Sequence, residues 1–234
     1  MSEKVAKFYD EFADLQLQIG VNSRHLSIVK KVLDAGLKPD HRVLEVGCGI
    51  GTVSHLLAKK VPKGSVLAVD ISPESIRQAA LLWASFSNLR FETSDMKDFD
   101  KKGQTFDTVV FPDVLEHIPV EDHAPLFEKI KRHSHQDTMV FIHIPAPRFL
   151  EWMIANEAEK LQVIDQPLDT AKLVGDLAAN GFYLDKMETY SVFYEEKDYQ
   201  YFVFKRQRPI EKVTHKPKWQ ILKERLWNKL GLPN

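Results

Sequence analysis

Three alternating glycines follow an acidic residue in the segment 45–51, which reads EVGCGIG. Glycine at a strand-to-helix turn lets the backbone approach a ligand closely, and the helix N-terminus that follows presents unpaired N–H groups. A dinucleotide-binding fingerprint would place its third glycine at position 52, where this sequence has Thr52. The carboxylate of Glu45 would also repel a pyrophosphate. The segment therefore favours a ligand that carries positive charge over a nicotinamide dinucleotide, which stays the alternative.

Acidic residues end two of the predicted strands that follow. Asp70 closes the run SVLAVD, and Asp95 closes LRFETSD. In an open α/β sheet, ligands bind at the carboxyl ends of the strands. A carboxylate placed there can accept hydrogen bonds from two neighbouring hydroxyl groups. Taken alone, Asp70 could simply cap the next helix, and Asp95 could lie on the surface.

Histidines stand near the ends of the fourth and fifth predicted strands. His117 follows the fourth strand in DVLEH, and His143 lies within the fifth, FIHIPAP. An imidazole can take a proton from an alcohol or phenol, so either residue is a candidate general base. The alternatives are a hydrogen bond to its own loop for His117 and simple burial in the strand for His143. His123, His133 and His135 lie in or after a polar helix and are expected to be solvated.

Apolar strands alternate with helices between residues 41 and 145. The pattern predicts strands at 41–47, 65–70, 89–95, 106–113 and 138–145, with helices at 52–60, from Ser72 onwards and at 120–132. This order predicts an α/β fold, in which a parallel sheet carries helices on both faces. A helix at 170–180 then precedes two strands with no helix between them, at 182–194 and 198–206. These two strands are predicted to form an antiparallel hairpin at the edge of the sheet.

Two segments outside this alternation are long enough to close a binding site. Residues 3–36 are predicted to be helical, with a break near 20–23. The segment 145–169 is too long for a simple connection between a strand and a helix, so it is interpreted as a cap over the site. In the cap, Arg148, Phe149 and Trp152 are candidate substrate-binding residues, although Phe149 and Trp152 could equally pack against each other on a helix.

The composition is that of an ordinary globular protein, with 44% hydrophobic and 28% charged residues. A single cysteine, Cys48, excludes an internal disulfide and multi-cysteine zinc sites. The sequence has no apolar stretch of membrane-spanning length, and the first residues do not resemble a secretory signal, so we expect a cytoplasmic protein. Residues 205–234 carry a net charge of +7 and the rest of the chain −8. An acidic body does not favour a nucleic-acid partner.

The motifs resemble those of the class I S-adenosylmethionine-dependent methyltransferases, whose first motif has the form (D/E)-x-G-x-G-x-G. The resemblance covers residues 40–206. It implies a Rossmann-like, mostly parallel seven-stranded sheet with an antiparallel last strand, helices on both faces and a small helical cap. It also implies that S-adenosylmethionine is the cofactor. The implied cofactor-binding residues are Glu45, Gly47, Cys48, Gly49, Gly51, Asp70, Ile71, Asp95, Met96, Pro112 and Asp113.

The resemblance assigns parts to these residues. The glycine turn would wrap the methionine portion, Asp70 would hold the ribose hydroxyls, and Asp95-Met96 would contact the adenine. Cys48 is interpreted as a small residue of the turn, not as a catalytic thiol. Residues 1–36 resemble the family's lid, in which Tyr9, Phe12 and Arg24 are candidate substrate-binding residues; Tyr9 and Phe12 could equally be ordinary core residues.

The expected activity is O-methylation of a small polar metabolite or sugar, with His117 or His143 as the base. The alternatives are an N- or carboxyl-methyltransferase and a binding protein that keeps the fold without turnover. The segment VLEHI also resembles ubiquinone-biosynthesis O-methyltransferases, in which such residues can hold a divalent ion. Asp113, Glu116 and His117 have suitable ligand atoms. No metal is nevertheless predicted, because this string is common among methyltransferases.

Residues 1–208 are predicted to form the methyltransferase domain, and residues 209–234 a basic amphipathic tail. Within the tail, Trp219, Leu222, Leu226 and Leu230 recur at helical spacing among lysines and arginines. Such a helix could touch an anionic membrane or an acidic protein partner. The favoured interpretation is simpler: the apolar residues pack on the protein's own acidic body. The sequence leaves the oligomeric state open.

Overall fold

The computed structural model describes residues 20–162, 164–210 and 212–230. It contains one seven-stranded sheet in the order β3-β2-β1-β4-β5-β7-β6. β1 to β5 pair in parallel, and β7 runs antiparallel to both β5 and β6. This confirms the predicted fold class and the reversed last strand. The strands are β1 (Arg42–Val46), β2 (Ser65–Asp70), β3 (Leu89–Thr93), β4 (Phe106–Pro112), β5 (Ser134–Pro145), β6 (Phe182–Tyr190) and β7 (Tyr199–Arg206).

Helices cover both faces of the sheet. On one face, α4 and α6 pack with Phe111 and Phe202 in a single core cluster, and on the other face α1 and α2 pack around Val43 and Phe141. Successive strand residues point to opposite faces, so a strand buried on both sides is apolar throughout. The helices are α1 (Ser23–Asp34), α2 (Thr52–Lys60), α3 (Pro73–Leu82), α4 (Val120–Arg132), α5 (Pro147–Asn156), α6 (Thr170–Ala179) and α7 (Lys218–Lys229).

Side-chain caps set the starts of three helices. The side chain of Asn22 accepts from the backbone N–H of Arg24 and His25 at the start of α1. Ser72 Oγ accepts from the N–H of Ser75 at 3.0 Å, with proline at the first position of α3. Asp169 caps α6 in the same way. These bonds satisfy N–H groups that have no partner within the helix, which explains why the boundaries could be read from the sequence.

Three strand boundaries differ from the prediction by two or more residues. β5 begins four residues earlier, at Ser134, and β3 ends at Thr93. β6 ends at Tyr190, because the Asp198 carboxylate accepts from the N–H groups of Val192 and Phe193 and folds residues 191–197 into a loop. The apolar run that follows Tyr190 therefore leaves the sheet and becomes part of a binding surface.

The expectation that His123 and His133 are solvated was wrong. His123 is buried, and its Nε2 lies 3.1 and 3.0 Å from the carbonyl oxygens of Leu115 and Ile118. His133 is also buried, and its Nε2 accepts from the N–H of Lys101. Both rings satisfy loop and helix-end backbone groups that would otherwise be buried without partners. His135 is half-buried and bonded to Asp107.

Helix α7 is not buried against the other described residues, contrary to the favoured interpretation of the tail. None of its residues is buried. Its ion pair joins Lys216, just before the helix, to Glu224 within it. No helix among the described residues is long and apolar enough to cross a membrane.

Candidate functional site

A cavity of about 460 Å³ opens at the carboxyl ends of β1, β2 and β4. Its floor is the glycine turn after β1, and its walls come from α1, the segment after β4, α5 and the loop between β6 and β7. This is the position where open α/β folds bind ligands. The cavity therefore joins the predicted cofactor residues to the predicted acceptor region.

The glycine turn approaches its neighbours more closely than a side chain would allow. Gly47 has φ +78°, and a Cβ there would stand 2.3 Å from Cγ2 of Val114. The N–H groups of Gly47 and Cys48 both donate to the Val69 carbonyl, so the turn is anchored to β2. Gly47, Cys48 and Gly49 line the cavity, as predicted for a turn that wraps a ligand.

Gly51 has a different position from the other two glycines. It has φ +79° and precedes α2, and a Cβ there would lie 2.7 Å from the ring of Phe91. Trp83 closes the same space and donates its indole N–H to the Ile50 carbonyl at 2.8 Å. Gly51 is not among the residues that line the cavity. The third glycine is thus required by packing behind the turn, and its predicted ligand contact has no support in the geometry.

Glu45 lies at the bottom of the cavity as a buried carboxyl group. Neither of its oxygens has a hydrogen-bond partner among the described residues, and the side chain is fully buried. Burial, with a smaller contribution from the charge of Asp70, raises its pKa to about 8. An uncompensated carboxyl of this kind suits a cationic ligand group, because only such a group would restore the usual ionisation.

Asp70 is held in place by the turn that it faces. Its Oδ2 accepts from the N–H of Gly49 at 2.7 Å, and its Oδ1 accepts from the N–H of Ser72 at 2.9 Å. The carboxylate lines the cavity, beside Ile71. Each carboxylate oxygen can accept more than one hydrogen bond, so this geometry is compatible with binding two hydroxyl groups.

The remaining predicted cofactor residues also lie on the cavity wall. Asp95 is exposed, and its Oδ1 accepts from the N–H of Lys97, while Met96 is buried with φ +65°. Both line the cavity, and so does Pro112 at the end of β4. Burial raises the pKa of the Cys48 thiol well above its usual value, which agrees with a packing residue in the turn.

Arg24 and Asp113 form an ion pair across the cavity. Arg24 Nε lies 3.3 Å from Asp113 Oδ2, and the guanidinium also donates to the Tyr199 hydroxyl at 3.5 Å. Burial alone would raise the pKa of Asp113, but the neighbouring His143 and Arg24 lower it below its usual value. The ion pair brings α1 to the end of β4.

His143 is placed beneath Asp113, away from the cavity. Its Nδ1 donates to Asp113 Oδ1 at 2.5 Å, its Nε2 lies 2.7 Å from the Tyr190 hydroxyl, and Tyr199 stacks on the ring. The side chain is fully buried and does not line the cavity. With both nitrogens engaged, His143 cannot receive a proton from an acceptor. The geometry contradicts its prediction as a base and makes it a positioning residue.

His117 and Glu116 lie side by side on the cavity wall. His117 Nδ1 is 2.5 Å from the Ile164 carbonyl and 3.3 Å from Asp165 Oδ1, and its Nε2 is 3.9 Å from Glu116 Oε1. Glu116 is buried, and its Oε2 has no hydrogen-bond partner among the described residues. Burial, followed by the charge of Asp113, raises the pKa of Glu116 well above its usual value.

Aromatic side chains form the outer wall on the acceptor side. Phe149 lines the cavity and packs against Tyr194 with ring centroids 4.7 Å apart. Arg148 and Trp152, which were predicted beside Phe149, do not line the cavity. Trp152 stacks on the side of Phe149 that faces away from the cavity. Residues three apart on a helix are neighbours, so the two rings can touch although only one of them reaches the cavity.

The sequence did not point to several residues of this wall. Tyr199 begins β7 and the loop before it contributes further aromatic residues, but their hydrophobic pattern was assigned to the hairpin. Lys160 and Asp165 come from the segment after α5, which has no motif. The missed lining residues include Lys160, Asp165, Phe193, Tyr194, Asp198 and Tyr199.

Two residues of the predicted lid and the alternative of a metal site remain to be considered. Tyr9 and Phe12 lie outside the described residues. For the alternative of a metal at Asp113, Glu116 and His117, no group of three His, Cys, Asp or Glu side chains within the described ranges is arranged to hold a metal ion.

Comparison with known proteins identifies the central part of the chain. Residues 43–137, from β1 into the start of β5, match the family described as "Methyltransferase domain". Over these residues the chain is similar to methyltransferase domains. S-adenosylmethionine is the cofactor of this family, and the glycine turn, Glu45 and Asp70 of this methyltransferase domain fit a ligand with a cationic group and vicinal hydroxyls.

Individual relatives agree with this assignment. Malonyl-[acyl-carrier protein] O-methyltransferase 1 of Ilyobacter polytropus is 30% identical over 95 residues, which are 41% of this chain and 33% of that protein. The chain thus spans about a third of the length of this curated relative. The TehB-like SAM-dependent methyltransferase from Corynebacterium glutamicum has a TM-score of 0.63 at 16% identity, over 88% of this chain and 100% of that chain.

A further solved structure has the same fold with a ligand in place. Magnesium protoporphyrin IX methyltransferase from Synechocystis, crystallised with bound SAH, has a TM-score of 0.61 at 24% identity, over 78% of this chain and 81% of that chain. At these identities the structural likenesses establish the fold. They leave the acceptor of the present methyltransferase domain to be argued from its own cavity.

Proposed function

We propose that this protein is an S-adenosylmethionine-dependent methyltransferase that methylates an oxygen of a small polar molecule. The observation that carries the proposal is the position of His117 in the cavity that also contains the glycine turn. Its Nδ1 donates to the Ile164 carbonyl, and a carbonyl oxygen only accepts. The neutral ring therefore has its lone pair on Nε2, which is the tautomer that a general base for a hydroxyl group needs.

The cofactor would lie over the glycine turn. The unpaired Glu45 carboxylate would bind its ammonium group, Asp70 would accept from the ribose hydroxyls, and Asp95 with Met96 would border the adenine. Arg24 would bind a carboxylate, either of the cofactor or of the acceptor, from the position in which Asp113 holds it. The cofactor supplies a methyl group already activated on a sulfonium.

The residues of the chain align the acceptor and exclude water. His117 would accept at Nε2 the proton that the acceptor hydroxyl loses when it is methylated. Because the methyl group is already activated, alignment supplies much of the acceleration. Phe149, Leu150 and Met153 provide an apolar wall that keeps water from the reacting groups. His143 acts through Asp113, whose orientation it fixes.

The role of His117 can be tested with labelled cofactor and fractionated metabolites. His117→Gln should lower the rate of transfer to a hydroxylated acceptor by about 10²–10⁴, the usual contribution of a general base. S-adenosylhomocysteine should bind the variant as it binds the wild type. His135→Gln is the matched control, because His135 lies at the opposite end of β5. Transfer at the wild-type rate by the His117 variant would refute the assignment.

A second candidate, transfer to an amine nitrogen, is favoured by Glu116. Its buried Oε2 has no partner among the described residues, and Asp165 adds a second carboxylate to the same side of the cavity. Two carboxyl groups beside the acceptor position would bind an amine and receive the proton that the methylated nitrogen loses. Parallel assays with hydroxylated, amine and carboxylate acceptors would separate the candidates. Glu116→Gln should abolish amine methylation and should slow hydroxyl methylation only slightly.

A further inference from the structure

Helix α7 presents a narrow apolar face to solvent. At 3.6 residues per turn, Trp219, Leu222, Leu226 and Leu230 fall within an arc of about 80°. We call these four residues the apolar stripe. Their side chains are between 58% and 66% exposed, so the surface that the described residues form does not cover them. Free leucine and tryptophan side chains gathered on one face mark a surface that binds something apolar.

Basic residues border the apolar stripe. Lys218, Arg225 and Lys229 lie along one edge, and Lys223 lies along the other, over the ring of Trp227 at 4.5 Å. Glu224 faces the opposite side and pairs with Lys216. The positive charges are therefore placed beside the apolar residues, and the acidic residue faces away from them. A helix that lies in a bilayer surface has this arrangement, with the stripe among acyl chains and the cations at the headgroups.

We propose that α7 docks this protein on the surface of an anionic lipid bilayer. Charge complementarity selects this partner, because residues 205–234 carry a net charge of +7 while the rest of the chain carries −8. An anionic bilayer attracts the tail and repels the body, so the contact is confined to α7. An acidic nucleic acid would neutralise the cations but would leave the apolar stripe in water. The proposal does not depend on methyl transfer.

The test is co-sedimentation of the full chain with lipid vesicles. The protein should pellet with vesicles of equal phosphatidylcholine and phosphatidylglycerol at low salt, and it should remain in solution with phosphatidylcholine alone or at high salt. Fluorescence of the two tryptophans of α7 should shift to the blue on binding. Pelleting that is equal with both lipids would overturn the electrostatic selection, and no pelleting under any condition would overturn the proposal.

Variants test the apolar stripe and the basic residues separately. Leu222→Ser with Leu226→Ser should abolish sedimentation, and Lys218→Gln with Arg225→Gln and Lys229→Gln should weaken partitioning by about a hundredfold, at about fivefold for each basic residue. Asn228→Ser, on the opposite face, is the matched control. All of these positions are exposed, so S-adenosylhomocysteine affinity and thermal melting should be unchanged and would reveal a folding defect.

A second copy of the chain is the competing occupant of the stripe. Light scattering of the intact protein in the absence of lipid measures self-association directly. The proposal predicts that the wild-type protein and Leu226→Ser have the same molecular mass. A dimer that this substitution dissociates, together with vesicles that leave the protein in solution, would assign the stripe to self-association instead.

Discussion

Two neighbouring carboxyl groups after β4 have pKa values that are shifted in opposite directions. Asp113 has Arg24 at 3.3 Å and His143 at 2.5 Å, so these charges outweigh its burial and lower its pKa. Glu116 is more deeply buried, and among the described residues no cation lies as close to it, so burial dominates and its pKa rises. The segment therefore places a carboxylate of lowered pKa beside Arg24 and a carboxyl group of raised pKa on the cavity wall.

Glu45 predicts how cofactor affinity changes with pH. Its pKa is raised to about 8 in the free protein, and a cationic ligand binds only the carboxylate form well. Affinity for S-adenosylhomocysteine, which keeps the ammonium group, should therefore increase as the pH rises from 6 to 8, by up to tenfold per unit. Calorimetric titrations at several pH values would measure this dependence. Glu45→Gln should bind more weakly with a flat profile, whereas a wild-type profile that is already flat would exclude this role.

Asp70→Ala should weaken cofactor binding by roughly 2–4 kcal/mol, because two charge-assisted hydrogen bonds are lost and water compensates in part. The same change removes the acceptor for the Gly49 N–H, so the turn itself should loosen. Asp70→Asn retains one oxygen and should lose less affinity. Calorimetry measures the effect, and a melting curve without ligand separates binding from folding. An unaltered dissociation constant in Asp70→Ala would show that the ribose is held elsewhere.

The motif residues could be predicted because their chemistry is local. Glycine at a turn and an acid at the end of a strand depend on neighbours within a few positions, and in the structure Gly47 and Asp70 both line the cavity. The engagement of His143 could not be predicted in this way. Its partners are Asp113, 30 residues before it, and Tyr190, 47 residues after it.

At the scale of elements, hydrogen bonds join the ends of four elements beneath the cavity. Asp113 follows β4, His143 lies in β5, Tyr190 ends β6, and Ser27 of α1 donates to the Tyr190 hydroxyl at 3.1 Å. The chain of bonds fixes α1, and with it Arg24, against the carboxyl edge of the sheet. Buried networks of this kind are rigid only while every member is paired.

Tyr190→Phe tests that network without changing its packing. Loss of the hydroxyl leaves His143 Nε2 and Ser27 Oγ without this partner, so the free energy of unfolding should fall by about 1–2 kcal/mol. Urea denaturation measures the change, and Tyr183→Phe, at an exposed position of the same strand, is the control. Equal unfolding free energies for the two variants would mean that the network does not stabilise the fold.

The order of elements followed from the sequence, but the ends of the last strands did not. Hydrophobic alternation extended β6 through Phe193 and Tyr194, and only the side-chain bonds of Asp198 end the strand at Tyr190. The pattern of polar and apolar residues does not reveal that the Asp198 carboxylate closes a loop at this point. This is why the aromatic wall of the acceptor side was missed.

For the whole molecule, raised carboxyl pKa values predict that stability decreases as pH rises. Glu45 has its usual value of 4.5 when unfolded and about 8 when folded, so the folded state binds more protons between these limits. The His25 pKa is lowered to about 4 and acts in the opposite direction, but only below 6.5. From pH 6.5 to 8 the free energy of unfolding should therefore fall by about 1–2 kcal/mol without ligand.

Denaturation curves at these pH values would check the slope. Glu45→Gln should reduce the slope, and Glu116→Gln should reduce it in the same direction, because burial raises the pKa of both carboxyl groups in the folded state. Stability that rises over this interval in the wild-type protein would contradict the burial of protonated carboxyl groups.

The most direct test of the account is a calorimetric titration of the full chain with S-adenosylmethionine, with NAD as the comparison ligand. Glu45 and the glycine turn select a cationic ligand, so S-adenosylmethionine should bind at one site per chain, and Asp70→Ala should weaken that binding. NAD should give no heat of binding, because its pyrophosphate would face the Glu45 carboxyl group. Binding of NAD without any binding of S-adenosylmethionine would contradict the account.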